Sequence, residues 1–235
     1  MNATFTPPPV PDRPRPVRRL VGDALRRPGG RRALSVLSLV LALAGVGMFT
    51  YPLWTDLYSE RIQRRLESQF TSPEFQEAYR LKKVAVGQGL TRLRIPKLEV
   101  DILVVEGTTP AALKAGAGHY LDTPLPGEAG NVSIAGHRTT FGRPFNRIDE
   151  MRVNDEVFLD TPFATFVYKV VPAFEGHANP WSVQPTDFKV VAAPADRAAR
   201  WLTLTTCHPK GSARERLILR LSLAAQLPLQ LPAKK

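Results

Sequence analysis

The sequence predicts a mainly β fold, a closed eight-stranded barrel with short helices, set behind an N-terminal transmembrane helix and a helical stalk. Three observations predict it. Eight short β-branched or alternating segments recur between residues 91 and 223. Proline and glycine punctuate them. Ahead of them, 23 consecutive residues from Ala33 to Thr55 contain no Asp, Glu, Lys or Arg.

The chain has 235 residues, 43% hydrophobic and 23% charged, which is a composition that folds and is too short for a large multidomain enzyme. Its net charge is +11, and residues 1–32 hold +6 of it, with eight arginines against Asp12 and Asp23. This segment reads as a basic cytoplasmic arm. No aromatic residues interleave its arginines, so membrane topology and lipid headgroups account for the charge and no nucleic acid partner is expected.

Residues 33–55 form a helix of roughly 34 Å at 1.5 Å per residue, enough to cross a hydrocarbon core of roughly 30 Å. Arg26, Arg27, Arg31 and Arg32 crowd one end, and Tyr51 and Trp54 sit at the other as interfacial aromatics. The arrangement predicts a single-pass anchor with the N-terminus in the cytoplasm and the C-terminal domain outside. The alternative is a cleaved signal peptide ending at Ala42-Leu43-Ala44, but the apolar run continues well past that point.

Residues 56–89 read as a helical stalk and linker. Tyr58, Ile62, Leu66 and Phe70 recur every four residues among charged neighbours, a stripe that packs on the folded domain or takes a partner. Ser72, Pro73 and Glu74 read as an N-cap, an N1 proline and a first-turn acid. With the stalk outside the strand-rich region, deletion to about residue 85 is expected to leave a folded domain.

Residues 90–225 hold the predicted strands at 91–95, 100–105, 131–135, 156–160, 165–171, 188–192, 201–206 and 216–223. Residues 111–115 and 195–200 suit short helical turns, and residues 226–235 form a C-terminal tail. Eight strands over this length favour a closed barrel, which leaves no exposed edge.

A single cysteine, Cys207, excludes an internal disulfide and a Cys-rich zinc site. His119 and His177 lack paired metal-ligand spacing. Glu99, Asp101 and Glu106 are too few to build a calcium site on, so no metal or cofactor is expected. Trp181 and Trp201 suit core packing better than a substrate platform. Three elements carry chemistry: Cys207 closing the strand Thr203-Leu204-Thr205-Thr206-Cys207, His137 after a strand in Ala135-Gly136-His137-Arg138, and Arg216 opening Arg216-Leu217-Ile218-Leu219. A thiolate nucleophile needs a proton carrier and a donor near the developing oxyanion, and His and Arg supply them. His208 adjoins the cysteine, but strand alternation turns it away.

The Thr-Leu-Thr-Thr-Cys run with an arginine nine residues on resembles the signature of the sortases, and Gly130 to Met151 resembles the block that carries their histidine. The His119-Tyr120 pair and Cys207-His208-Pro209-Lys210 are most similar to class E sortases of high-GC Gram-positive bacteria. The resemblance implies a sortase-type eight-stranded barrel and a cysteine transpeptidase without a cofactor. Such an enzyme cuts a sorting-signal peptide of Leu-Pro-x-Thr-Gly or Leu-Ala-x-Thr-Gly type after Thr and joins the Thr to an amine of a cell-wall precursor. It implies Cys207 as nucleophile, His137 as acid then base, and Arg216, with Arg214 as rival, at the oxyanion or the peptide. Tyr120 and Thr206 would line the substrate site. Two other classes fit the residues: a cysteine protease or amidase that finishes with water, and a non-catalytic envelope binding protein with Cys207 as a structural thiol.

Overall fold

The computed structural model describes residues 28–174 and 176–229. Most of the basic arm, up to residue 27, and the tail beyond residue 229 lie outside the described residues. The chain divides into two units, Met1–Thr50 and Tyr51–Lys235.

Helix α1 (Pro28–Phe70) is longer than the anchor read from the sequence, because the stalk stripe extends it through Pro52 to Phe70. In the first unit its apolar side chains, among them Leu37, Val40, Leu43 and Met48, are exposed, and the helix is long and apolar enough to be a candidate membrane span. In the second unit the C-terminal part of the stripe is covered, while Tyr58 stays exposed. Leu66 and Phe70 are buried, and so are Phe75 and Tyr79 of helix α2 (Pro73–Arg80), whose N-cap Ser72 accepts from the Phe75 amide at 3.2 Å as its sequence predicts. These four side chains pack with Leu90, Leu103, Val105, Ala112 and Ala115 into one apolar cluster. The helical segment from Ile62 to Tyr79 therefore packs on the fold, and this burial makes loss of stability the expected outcome of deletion to residue 85.

The strands are β1 (Gly89–Ile95), β2 (Val100–Glu106), β3 (Ala117–His119), β4 (Gly130–Gly136), β5 (Glu156–Asp160), β6 (Ala164–Val170), β7 (Ala173–Phe174), β8 (His177–Ala178), β9 (Trp181–Val183), β10 (Arg200–His208) and β11 (Glu215–Pro228). Eight of them close in the order β10-β4-β3-β2-β1-β5-β6-β11, with β11 pairing back onto β10, and β9 adds to β11 at the side. Inside lie Leu93, Val104, Val132, Ile134, Leu202, Leu204, Leu219 and Leu221 with their neighbours, one side of each strand as alternation requires. Helix α3 (Pro110–Leu113) falls where a helical turn was expected, capped by Thr109, whereas residues 195–200 form bends and a turn before β10 begins at Arg200.

Two strand assignments change. Residues 188–191 form a 3-10 turn, not a strand, with Asp187 accepting from the Lys189 amide at 3.3 Å. The Val190 carbonyl serves side chains instead of a ladder, taking Asn131 Nδ2 at 3.1 Å and Arg220 Nη2 at 2.9 Å. The missing eighth strand is β3. It is built of small residues without β-propensity, and Gly118 is required because a Cβ there would lie 2.2 Å from the Gly107 carbonyl oxygen.

One charge inside the barrel wall is fully buried. Asp160 is 0% exposed and takes a bidentate pair from Arg94, Nε at 2.6 Å and Nη2 at 2.9 Å, and a third bond from Thr165 Oγ1 at 2.7 Å. Removing one side of such a pair strands the other. Asp160→Ala is expected to lower stability by about 3 kcal/mol, and Thr165→Val by about 1 kcal/mol, read from urea unfolding midpoints. Equal losses from the two substitutions would show that water replaces the carboxylate.

Candidate active site

The three chemistry-bearing residues come from three strand ends at one place on the barrel. In the antiparallel β10–β11 ladder Cys207 stands directly opposite Arg216. β4 runs parallel to β10 with Thr205 opposite Ala135, so Cys207 and His137 each lie two residues beyond the same rung. Parallel neighbours leave the sheet in the same direction, which brings the thiol and the imidazole out together. Arg214 is an exposed loop residue before β11, whereas Arg216 is the cross-strand partner of the cysteine.

Alternation sorts the flanking residues. Leu202 and Leu204 point into the core, and Thr206 shares their side. The Thr206 hydroxyl donates to the Gly136 carbonyl at 2.8 Å and is buried, so it ties β10 to the end of β4, just before His137. Thr206, expected at the substrate site, thus faces the core side of β10. Thr205, buried to the same extent, lines with Tyr120, Arg216 and Ile218 a narrow cleft of about 30 Å³, whose far wall is Val183 and the turn at Phe188 to Val191. Tyr120 Oη and Thr205 Oγ1 are 3.1 Å apart, and Arg216 Nη1 donates to the carbonyls of Ala213 and Glu215 at 2.9 and 3.0 Å. The cysteine is free and half-buried. The largest cavity described here lies elsewhere, between Leu90, His119 and Leu125, and none of the three chemistry-bearing residues lines it.

His137 is half-buried, and that burial pushes its imidazole below the usual 6.5. At neutral pH it is a base. Its ring packs against Phe141, centroids 5.1 Å apart. Gly136, just before His137, makes room for a second ring: a Cβ there would meet Phe145 at 2.5 Å.

Sequence reasoning missed Arg138. Its side chain is 3% exposed and donates Nη1 to His208 Nδ1 at 2.9 Å and to the Cys207 carbonyl at 3.4 Å, while Nη2 pairs with Asp149 at 3.0 Å. It fastens the residue after the histidine to the residues at and after the cysteine. His208 faces this arginine, away from the thiol's side as expected. His119 is not a loop residue: it ends β3, buried, with Nδ1 3.1 Å from Glu106 Oε1. Trp201 is half-buried beneath the Arg220 guanidinium at 4.9 Å, and Trp181 stacks on His177 at 6.0 Å.

A family model described as Sortase domain matches residues 93–224. Sortase SrtE1 of Streptomyces coelicolor is 29% identical over 206 residues, covering 83% of this chain but only 58% of that relative's length. A crystal structure of sortase E1 from Streptomyces coelicolor with a tripeptide in the active site matches at 30% identity and TM-score 0.53, over 60% of this chain and 91% of that one. A Clostridium perfringens sortase D5 transpeptidase matches at 27% identity and TM-score 0.59, over 72% of this chain and 99% of that one.

Proposed function

The chain belongs to the sortase family of cysteine transpeptidases, and from that premise we propose that Cys207, His137 and Arg216 cut a sorting signal of Leu-Ala-x-Thr-Gly or Leu-Pro-x-Thr-Gly type and transfer its Thr acyl group to a cell-wall precursor amine. The observation that carries the reading is the register: Cys207 opposite Arg216, and His137 level with Cys207 across the parallel β4–β10 pair. Cys207 Sγ attacks the Thr carbonyl. His137 takes the thiol proton as Sγ attacks; the Thr–Gly bond breaks, the nitrogen leaves with that proton, and a thioester remains. The incoming amine then attacks, His137 takes its proton, and the thiolate departs. Arg216 steadies the oxyanion or the peptide with a fork of donors that stays charged. On this reading Tyr120 and Thr205, which line the cleft beside Arg216, flank the peptide on its acyl side.

The apolar part of α1 is a candidate membrane anchor. On this reading residues 33–55 cross the membrane, the basic arm stays in the cytoplasm, and the barrel works outside on secreted proteins and on a lipid-linked wall precursor. The test is a partition experiment. The thioester is exposed to water at roughly 55 M, so an amine wins only if it is bound and oriented beside it. With Leu-Ala-x-Thr-Gly and Leu-Pro-x-Thr-Gly peptides, added glycyl or diaminopimelate-like amine is expected to turn the product from the free Thr acid into an amide, with cleavage still dependent on Cys207. Fast cleavage that yields only acid at saturating amine would make the enzyme a protease in practice.

A further inference from the structure

The loop that carries His137 is held in an unfavourable backbone conformation from outside. Phe141, Gly142 and Arg143 have φ of 51°, 74° and 47°, three successive residues in the left-handed region, two of them with a Cβ. A run of this kind is disfavoured for residues with a Cβ and persists only when its surroundings over-determine it. Helix α1 supplies the restraint. Asp56 Oδ1 accepts from the Gly142 amide at 2.9 Å, and its Oδ2 pairs with Arg143 Nη2 at 2.8 Å. Ser59, 3% exposed, donates to the Ala115 carbonyl at 3.0 Å and sits so close that a Cβ on Gly142 would lie 3.2 Å from its hydroxyl. Tyr58 meets the Phe141 ring edge-on at 6.4 Å, and Phe141 in turn lies against His137. All these residues belong to the Tyr51–Lys235 unit.

We propose that Asp56 and Tyr58 are positioning residues for catalysis, acting through Phe141 and Gly142 to fix the His137 imidazole at the height of the thiol. The helix that follows the anchor is thus part of the active-site support. Proton transfer depends steeply on placement: an error on the order of 1 Å can cost about a hundredfold. Peptide binding, by contrast, uses the cleft at Tyr120, Thr205 and Arg216, which α1 does not line. The two should separate. The inference rests on His137 as the proton carrier, so its test includes the variants that check that assignment.

The full chain in detergent micelles is assayed with a Leu-Ala-x-Thr-Gly peptide and a glycyl amine. Asp56→Ala is expected to lower kcat about ten- to a hundredfold with KM for the peptide within about twofold. Asp56→Asn, which keeps an oxygen for the Gly142 amide, is expected to recover most of that loss. In histidine-labelled protein the Asp56→Ala imidazole should titrate closer to 6.5 than in the parent, because a released Phe141 lets water reach the ring. Phe141→Leu leaves Asp56 intact and should reproduce both effects, and it decides the matter if Asp56→Ala does not fold. Unchanged kcat in Asp56→Ala and Phe141→Leu, or a loss shared by Asp56→Asn with an unmoved His137 titration, overturns the inference. Full activity in His137→Ala would instead remove the functional reading beneath it.

Discussion

A chain that begins at residue 86 is expected to lose its cooperative fold, whereas one that begins at residue 51 keeps it. Deletion to residue 85 removes Leu66, Phe70, Phe75 and Tyr79, all less than 10% exposed. At about 1.5–3 kcal/mol for each large apolar side chain, the lost burial is about 6–12 kcal/mol as an upper estimate. Whole domains are stable by only about 5–15 kcal/mol. The deletion also uncovers backbone. Gln63 Nε2 donates to the Leu103 and Ala115 carbonyls at 2.8 Å each, and its Oε1 accepts from the Leu103 amide at 2.7 Å. The side chain thereby occupies the edge of β2 that the short β3 leaves open, since β3 pairs with β2 only from Val105 onward. Thermal unfolding by circular dichroism compares the two truncations. A sharp transition for the 86-start chain within a few degrees of the longer one would show that the helices are dispensable.

Within the site the substitutions should separate by chemical step. Cys207→Ala is expected to abolish cleavage and the thioacyl adduct together. His137→Ala keeps a thiol but loses proton transfer, about 10²- to 10⁴-fold in turnover. Arg216→Lys keeps the charge but not the fork and is expected to lose about 10²- to 10³-fold. Mass spectrometry of the acyl-enzyme alongside steady-state rates distinguishes the three. Full activity in Arg216→Lys with loss in Arg214→Lys would transfer the role to Arg214. The pH profile follows from the burial of His137, which lowers its folded value below 6.5. The acid form that serves the leaving group therefore grows only as pH falls below 6.5. The sign for stability is fixed by linkage: the unfolded chain holds that proton more tightly, so His137 makes no demand well above 6.5 and reduces stability as pH falls from 6.5 towards its folded value. A histidine NMR titration of Cys207→Ala should give a midpoint below 6.5.

What could be read from the sequence depended on how local the cause was. Strands such as β10 and β11 carry their signal in alternation, so their places and the barrel they form were legible. Residues 188–192 looked the same by composition, yet their carbonyls are used by Asn131 and Arg220, which only the fold brings near. β3 has no local signal, because Ala-Gly-His pairs there only for want of space beside Gly107. Motif and spacing single out Cys207, His137 and Arg216 as candidates, and the register places them at neighbouring strand ends. Strand alternation counted from Cys207 puts Thr205 on the thiol's side of β10 and Thr206 on the core side. Arg138 and Asp56 were beyond reach, since their partners lie 70 and 86 residues away along the chain.

The parallel rung between β4 and β10 has a consequence for how the enzyme comes into being. His137 and Cys207 are joined by a seam between segments about seventy residues apart, and β10 can occupy it only between β4 and β11. Such a pairing forms late, because a long stretch of chain must be ordered before it yields any contact. A chain stopped short of β11 has its thiol but lacks Arg216 and the strand that closes the barrel. The three site residues therefore come together only when the last strand closes the barrel.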